Sequence, residues 1–243
     1  VRSASNSENT HLPAISIVKI LPKISEQQLF SHKRCYLGIS LENPSFEGNL
    51  LRALLVWIEQ RFERCLVIVG DHLCRFNERI FGECNERQAA KVALQLGDSF
   101  LLKTRELFQQ FGNGKIKLTR WKDHLQTPEF TRSKAVLDDL FVSDCEFRAS
   151  IERNALSFLK RQDKHSRSMA MDMEEALKLS CEYLIEEIAV FSSLSEQGWQ
   201  VELYPGSELR VLVEVAKGKY PSVPRGLKER ISVELKIHAV SPH

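Results

Sequence analysis

The sequence lacks the marks of most common enzyme chemistries. Its six cysteines, at 35, 65, 74, 84, 145 and 181, contain no Cys-x-x-Cys pair, which excludes a thiol zinc ribbon and a dense disulfide framework. They read as reduced thiols. The seven histidines are scattered, with no His-Glu-x-x-His motif and no recognisable Ser-His-Asp set, so no metal site is expected. Neither a Gly-x-Ser-x-Gly elbow nor a phosphate-binding glycine loop is present. The longest apolar runs, such as 50–58 with Arg52 inside it, fall short of the roughly 20 residues needed to cross a bilayer. Residues 1–12 lack the apolar core of a secretory signal and read as a loose tail. A large excess of one charge is missing too. Lys and Arg number 34 against 32 Asp and Glu, a formal +2, so any nucleic-acid surface must be a local patch. These absences predict a soluble, cytoplasmic protein.

What is present is enough apolar material, 43% of 243 residues, to bury a sizeable core, and disorder is excluded. Short β-branched runs over 14–21, 35–39, 65–69, 115–121 and 199–203 read as strands, the second and third buried on both faces. Between them Leu51, Leu54, Leu55, Ile58 and Phe62 recur at helical spacing, as do Ala89, Val92, Ala93, Leu96, Phe100, Leu101, Phe108 and Phe111. Gly112-Asn113-Gly114 separates that helix from the next strand. A helical hairpin over 133–164, a polar break at 163–168 and a long helix over 169–194 follow. The alternating segments 209–216 and 231–237 read as two more strands. Strands separated by helices imply the α/β class: a Rossmann-like, doubly wound, mainly parallel sheet with helices on both faces. No linker or repeat divides it, so 13–243 reads as one domain.

Three groups of residues can carry chemistry. The first is the segment from Gly38 to Pro44, where the second strand ends and a helix begins, the edge at which open α/β sheets bind ligands. Gly38 lets a substrate approach the backbone, and Ser40 stands near free N–H groups that favour developing negative charge; alternatively, Ser40 only begins a turn. The second is Tyr183-Leu184-Ile185-Glu186-Glu187 on the long helix. Tyr183 and Glu187, four apart, share a face. Glu187 is placed at the margin of the buried stripe and Glu186 toward solvent, and a bound ammonium would suit a carboxylate beside apolar side chains. The plainer reading is a solvated Glu-Glu pair. The third is Gln200, Glu202 and Tyr204, one strand face by period two, for which exposure on an edge strand is the simple explanation. Basic residues outnumber acidic ones over 61–134 and 148–167, and the reverse holds over 168–187, an arrangement that suits a polyanion on one flank.

Together these pieces resemble the tRNA-dependent cyclodipeptide synthases. The resemblance rests on the strand end Tyr36-Leu37-Gly38-Ile39-Ser40, Asn43 three later, the helix over 51–64, the strand over 65–70 followed by Asp71, the Tyr183–Glu187 segment and Tyr204-Pro205. It covers roughly residues 33–206. It implies a fold similar to the catalytic core of class I tyrosyl- and tryptophanyl-tRNA synthetases, with no ATP binding and no cofactor. In keeping, neither a HIGH-like nor a KMSKS-like segment occurs. By resemblance, Ser40 is the nucleophile that takes an aminoacyl group from a first aminoacyl-tRNA. Tyr183 and Glu187 hold its ammonium, a second aminoacyl-tRNA extends it to a dipeptidyl ester, and cyclisation releases a diketopiperazine with Tyr204 as proton relay. Tyr204-Pro205 places the chain in the Tyr-Pro branch, whereas Asn43 fits the other branch, leaving its role open. The first side chain would enter a pocket walled by Tyr36, Gly38, Ile68, Val190 and Glu202. The first tRNA would lie on the helix over 86–111, through Arg87, Lys91, Lys103 and Arg105, with Arg61, Arg64, Arg148, Arg153, Lys160 and Arg161 available to share the contact. A monomer is expected. Two competing readings are another serine-dependent aminoacyl transferase or hydrolase, and a noncatalytic tRNA-binding protein on a synthetase-like core.

Overall fold

The computed structural model describes residues 12–111, 114–164 and 168–238. The tail over 1–11, Gly112 and Asn113 of the predicted helix stop, the centre of the predicted polar break and the last five residues lie outside them. The elements run β1 (Ala14–Leu21), α1 (Glu26–Ser31), β2 (Arg34–Ile39), α2 (Gly48–Glu59), β3 (Arg64–Val69), α3 (Arg75–Phe81), α4 (Glu86–Gln109), β4 (Ile116–Arg120), α5 (Trp121–His124) and α6 (Pro128–Ser143). There follow α7 (Cys145–Lys164), α8 (Met173–Glu196), β5 (Val201–Tyr204), α9 (Arg210–Ala216), α10 (Arg225–Glu229) and β6 (Ile231–His238).

Six strands form one sheet in the order β1-β6-β5-β2-β3-β4. All neighbours are parallel except β1, which runs antiparallel to β6 at one edge. From β2 the chain steps outward to β3 and β4, then returns through α6, α7 and α8 to β5 on the other side of β2. The strand order therefore reverses between β2 and β5, and a crevice opens there at the carboxyl ends of the strands.

Period two divides β2 and β3 between two cores. Cys35, Leu37, Ile39, Cys65 and Val67 join α2 on one face, while Tyr36, Leu66 and Ile68 join α3, α6, α7 and α8 on the other. Of the helices, α8 is the most enclosed. Asp172 caps its N-terminus, accepting from Glu175 N–H at 2.9 Å, and residues 184–195 are buried apart from Glu187.

The segment over 209–216, expected as a strand, is the helix α9. It buries Val211, Leu212 and Val215, and it ends in a Schellman motif: Gly218 N–H bonds Val215 C=O at 2.8 Å and Lys219 N–H bonds Glu214 C=O at 3.1 Å, with Gly218 at φ +77°. The valines at 211, 213 and 215 mimic strand alternation, and the glycine two residues past the run is the signal that separates the readings.

Helix α4 is pinned to the crevice end of the sheet. Asp71, fully buried, pairs with Arg120, which donates from Nε at 2.5 Å. Arg120 also reaches Asp98 at 2.6 Å and the Leu94 carbonyl at 2.9 Å. Gly97 makes room for this cluster, because a Cβ there would stand 2.4 Å from Asp71 Oδ2 and 2.7 Å from Arg120 Nη2. Gly97→Ala is therefore expected to destabilise the fold by about 1–3 kcal/mol, as overpacking does. Chemical unfolding measures this, and an unchanged midpoint would contradict the docking of α4 described here.

Candidate active site

The crevice is built from the tips of β2 and β5 and from one turn of α8. After Ile39, whose carbonyl accepts from Gly70 N–H at 2.9 Å, the chain turns at Ser40, with Asn43 N–H bonding the Ser40 carbonyl at 3.0 Å. Asn43 then makes two side-chain bonds. Its Oδ1 accepts from Ser45 N–H at 2.9 Å, capping a short 3₁₀ turn, and its Nδ2 donates to the Tyr204 hydroxyl at 3.3 Å. Phe46 packs against Tyr204 at 5.9 Å. Ser40, Asn43 and Tyr204 thus meet at the reversal between β2 and β5, each partly accessible.

Across the crevice stand Tyr183 and Glu187, one turn apart on α8. Tyr183 packs edge-on against Phe76 at 6.0 Å. Burial pushes both phenols up, and the Glu187 carboxylate adds to each; at Tyr204, hydrogen bonding with Asn43 and Ser40 works the other way. Glu187 is itself pushed up to about 8, first by burial and then by Glu202 and Glu208, with Arg230 opposing.

Two carboxylates are not where the sequence pattern put them. Glu186, expected toward solvent, is buried: Arg75 clamps it with two donors at 2.9 and 2.5 Å, and the Trp121 indole N–H donates to it at 3.1 Å. A helix enclosed on nearly every side has no solvent face for it, and Arg75 supplies the counter-charge that burial requires. Glu202 is also buried rather than exposed, because β5 lies between β2 and β6 and is not an edge strand. Nor is it unpartnered. It accepts from the Tyr36 hydroxyl at 2.8 Å and from Arg230 Nε at 2.6 Å, and Arg230 also pairs with Glu208 at 2.7 Å. The Arg230 guanidinium lies 5.1 Å from the Phe191 ring centre.

Sequence reasoning missed Arg75, Glu208 and Arg230. No local pattern marks the last of these, since it stands 28 positions from Glu202 and meets it only when β6 pairs with β5. Of the other residues expected to wall a pocket, Tyr36, Ile68 and Val190 join one core with α8, and Gly38 lies beside Ile68 in register.

Arg87, Lys91, Lys103 and Arg105 are all exposed on α4. At 100° per residue, Arg87, Lys91 and Arg105 lie along one side, while Lys103 points elsewhere. Asp98, on the same line as the first three, is held by Arg120. Among the described residues no helix is long and apolar enough to cross a membrane.

The model of the cyclodipeptide synthase family matches residues 22–196. No curated protein matches the chain in sequence. Among solved structures, a cyclodipeptide synthase from Fluoribacter dumoffii superposes with a TM-score of 0.76 at 22% identity, covering 93% of this chain and 98% of that one. One from Candidatus Glomeribacter gigasporarum, bound to Phe-tRNAPhe, gives 0.63 at 19% identity over 86% and 89% of the two chains. The tyrosyl-tRNA synthetase of Archaeoglobus fulgidus, in complex with L-tyrosine, gives 0.54 at 13% identity, over 91% of this chain and 61% of that one. At these identities the superpositions speak for a shared fold.

Proposed function

Because the chain belongs to the cyclodipeptide synthase family, an aminoacyltransferase family, we propose that it joins two amino acids, delivered as aminoacyl-tRNAs, into a diketopiperazine through successive esters on Ser40. The observation that carries this reading is the meeting of Ser40 with Tyr204 and Asn43 at the strand-order reversal, facing a carboxylate–phenol pair on α8.

In the first step a bond forms between Ser40 Oγ and the acyl carbon as the bond to the terminal ribose of the tRNA breaks. The hydroxyl proton passes to the departing ribose oxygen, with Tyr204 as the group placed to relay it. Asn43 orients the Tyr204 phenol. An aminoacyl ester is already activated, so the site supplies positioning and proton transfer and has no need of a histidine base. Glu187 and Tyr183 hold the α-ammonium. In the second step that nitrogen, having lost a proton, attacks the ester carbonyl of the second aminoacyl-tRNA; the amide bond forms, the bond to the ribose oxygen breaks, and a second proton from the nitrogen passes to that oxygen as the tRNA leaves. Burial, Glu202 and Glu208 push Glu187 up to about 8 in the ligand-free site; a bound ammonium draws it back toward the carboxylate, which then accepts the first of these protons. The free amine of the dipeptidyl ester then attacks the Ser40 ester carbonyl, closing the ring and returning the proton to Ser40.

The line of Arg87, Lys91 and Arg105 supports α4 as the resting place of the first tRNA, fixed relative to the crevice by Arg120 and Asp71. Arg87→Glu with Lys91→Glu is expected to weaken tRNA binding by roughly tenfold or more at low salt, and to flatten its salt dependence. Filter binding across a salt series checks this, and unchanged affinity would move the contact to the basic residues of α7.

Incubation with a mixture of aminoacyl-tRNAs tests the proposed reaction. A diketopiperazine is the expected product. A linear dipeptide or free amino acid would favour a transferase or hydrolase, and bound but unreacted tRNA a noncatalytic protein.

A further inference from the structure

The size of the first substrate can be read from β2, provided that Ser40 is the residue acylated. Tyr36, Gly38 and Ser40 alternate with Leu37 and Ile39, so they share the face toward α8. On that face Tyr36 packs 5.9 Å from Phe191, while Leu37 and Ile39 belong to the opposite core. Ser40 stands at the crevice, Tyr36 lies deep, and between them Gly38 leaves a recess: a Cβ built there would meet no atom within 4 Å.

The register fixes the walls. Ile68 lies beside Gly38 on β3, Tyr36 lies below it, and Val190 faces the same core from α8. Tyr36, Ile68 and Val190 are 0%, 1% and 0% exposed, so water has almost no access to any of them. A channel deep enough for a long side chain would leave these walls wet. The recess therefore ends at Gly38, which is itself partly accessible. Its floor is fixed as well. The Tyr36 hydroxyl donates to Glu202 at 2.8 Å and accepts from Arg230 at 3.3 Å, and Arg230 is shared with Glu208. Moving the Tyr36 ring aside would take away one hydrogen bond from each member of the buried Glu202–Arg230 pair.

We infer that the amino acid first loaded on Ser40 has a small side chain, of the glycyl, alanyl or seryl class, and that the Gly38 recess, closed by Tyr36 and its buried ion network, sets this limit. A leucyl or phenylalanyl side chain would need the space that Tyr36, Ile68 and Val190 fill.

The test is the intact mass of the enzyme after mixing with all aminoacyl-tRNAs, since the mass added identifies the residue on Ser40. A glycyl, alanyl or seryl adduct is expected. A leucyl, phenylalanyl or other large adduct would overturn the size limit while leaving Ser40 acylation standing. No adduct together with no diketopiperazine would overturn the Ser40 reading, and this inference with it. Two variants sharpen the result. Gly38→Ala puts a methyl group into open space, so the fold is retained, and acylation by alanyl- or seryl-tRNA should fall at least tenfold. Val190→Ala enlarges the recess and should admit a larger adduct. Unchanged adducts and rates in both variants would contradict the recess.

Discussion

Ser40→Ala is expected to abolish product formation, a loss of about 10³-fold or more, while the unfolding midpoint stays within about 0.5 kcal/mol of the wild type. Its hydroxyl lies at a partly accessible strand end, so removing it leaves no large cavity. The proposed reaction, by contrast, would lose the atom on which its two esters are built. Initial rates of diketopiperazine formation, with thermal unfolding on the same preparations, measure both quantities. Undiminished turnover by the folded variant would end the covalent mechanism.

Glu187→Gln should separate catalysis from stability. Without a negative charge opposite the ammonium, the rate is expected to fall by about 10²-fold or more. Stability should move the other way. An acid at about 8 in the folded protein, against an ordinary glutamate value of 4.5, binds more protons folded than unfolded between those values. Its contribution is therefore lost progressively as pH rises from about 4.5 through 8. Glutamine removes that penalty, so the variant should gain on the order of 2–4 kcal/mol at pH 8 and above, and nothing near pH 4.5. Glu186→Gln should do the opposite, weakening the clamp from Arg75 and destabilising the fold at neutral pH. Melting temperatures from pH 5 to 9, read beside initial rates, decide this. Equal stability changes at the two positions would contradict the placement of α8.

The parts of this architecture that local patterns specify were legible in the sequence. The apolar runs at 35–39 and 65–69 announced two central parallel strands, and the Gly38–Ser40 strand end announced the crevice, because strand polarity places ligand sites at such ends. Short helices were less visible. The Ser25–Gln28 capping box of α1 was available in the sequence, but α1 has only six residues and a single buried one. At 209–216 a run of alternating valines outweighed the glycine that ends α9. The carboxylates were misread for a different reason. A helical wheel assigns Glu186 to the polar side of an isolated helix, yet α8 is buried over 184–195 apart from Glu187, and Glu186 had to find Arg75 and Trp121. Glu202, likewise, depends on Arg230, which stands between α10 and β6 and is 28 positions away in sequence. Partners separated by tens to more than a hundred positions leave no periodic signal, so the polar interior, which sets the protonation of Glu187 and the depth of the Gly38 recess, becomes visible only in three dimensions.

The most direct test of an acyl-enzyme on the path to product is a pulse and chase. The protein is loaded with a labelled amino acid from one aminoacyl-tRNA, freed of that tRNA, and given a second, unlabelled aminoacyl-tRNA. With Ser40 as the carrier, the label should leave the protein and appear in a cyclic dipeptide, in an amount equal to the ester consumed. Label that remains on the protein, or is released only as free amino acid, would contradict it.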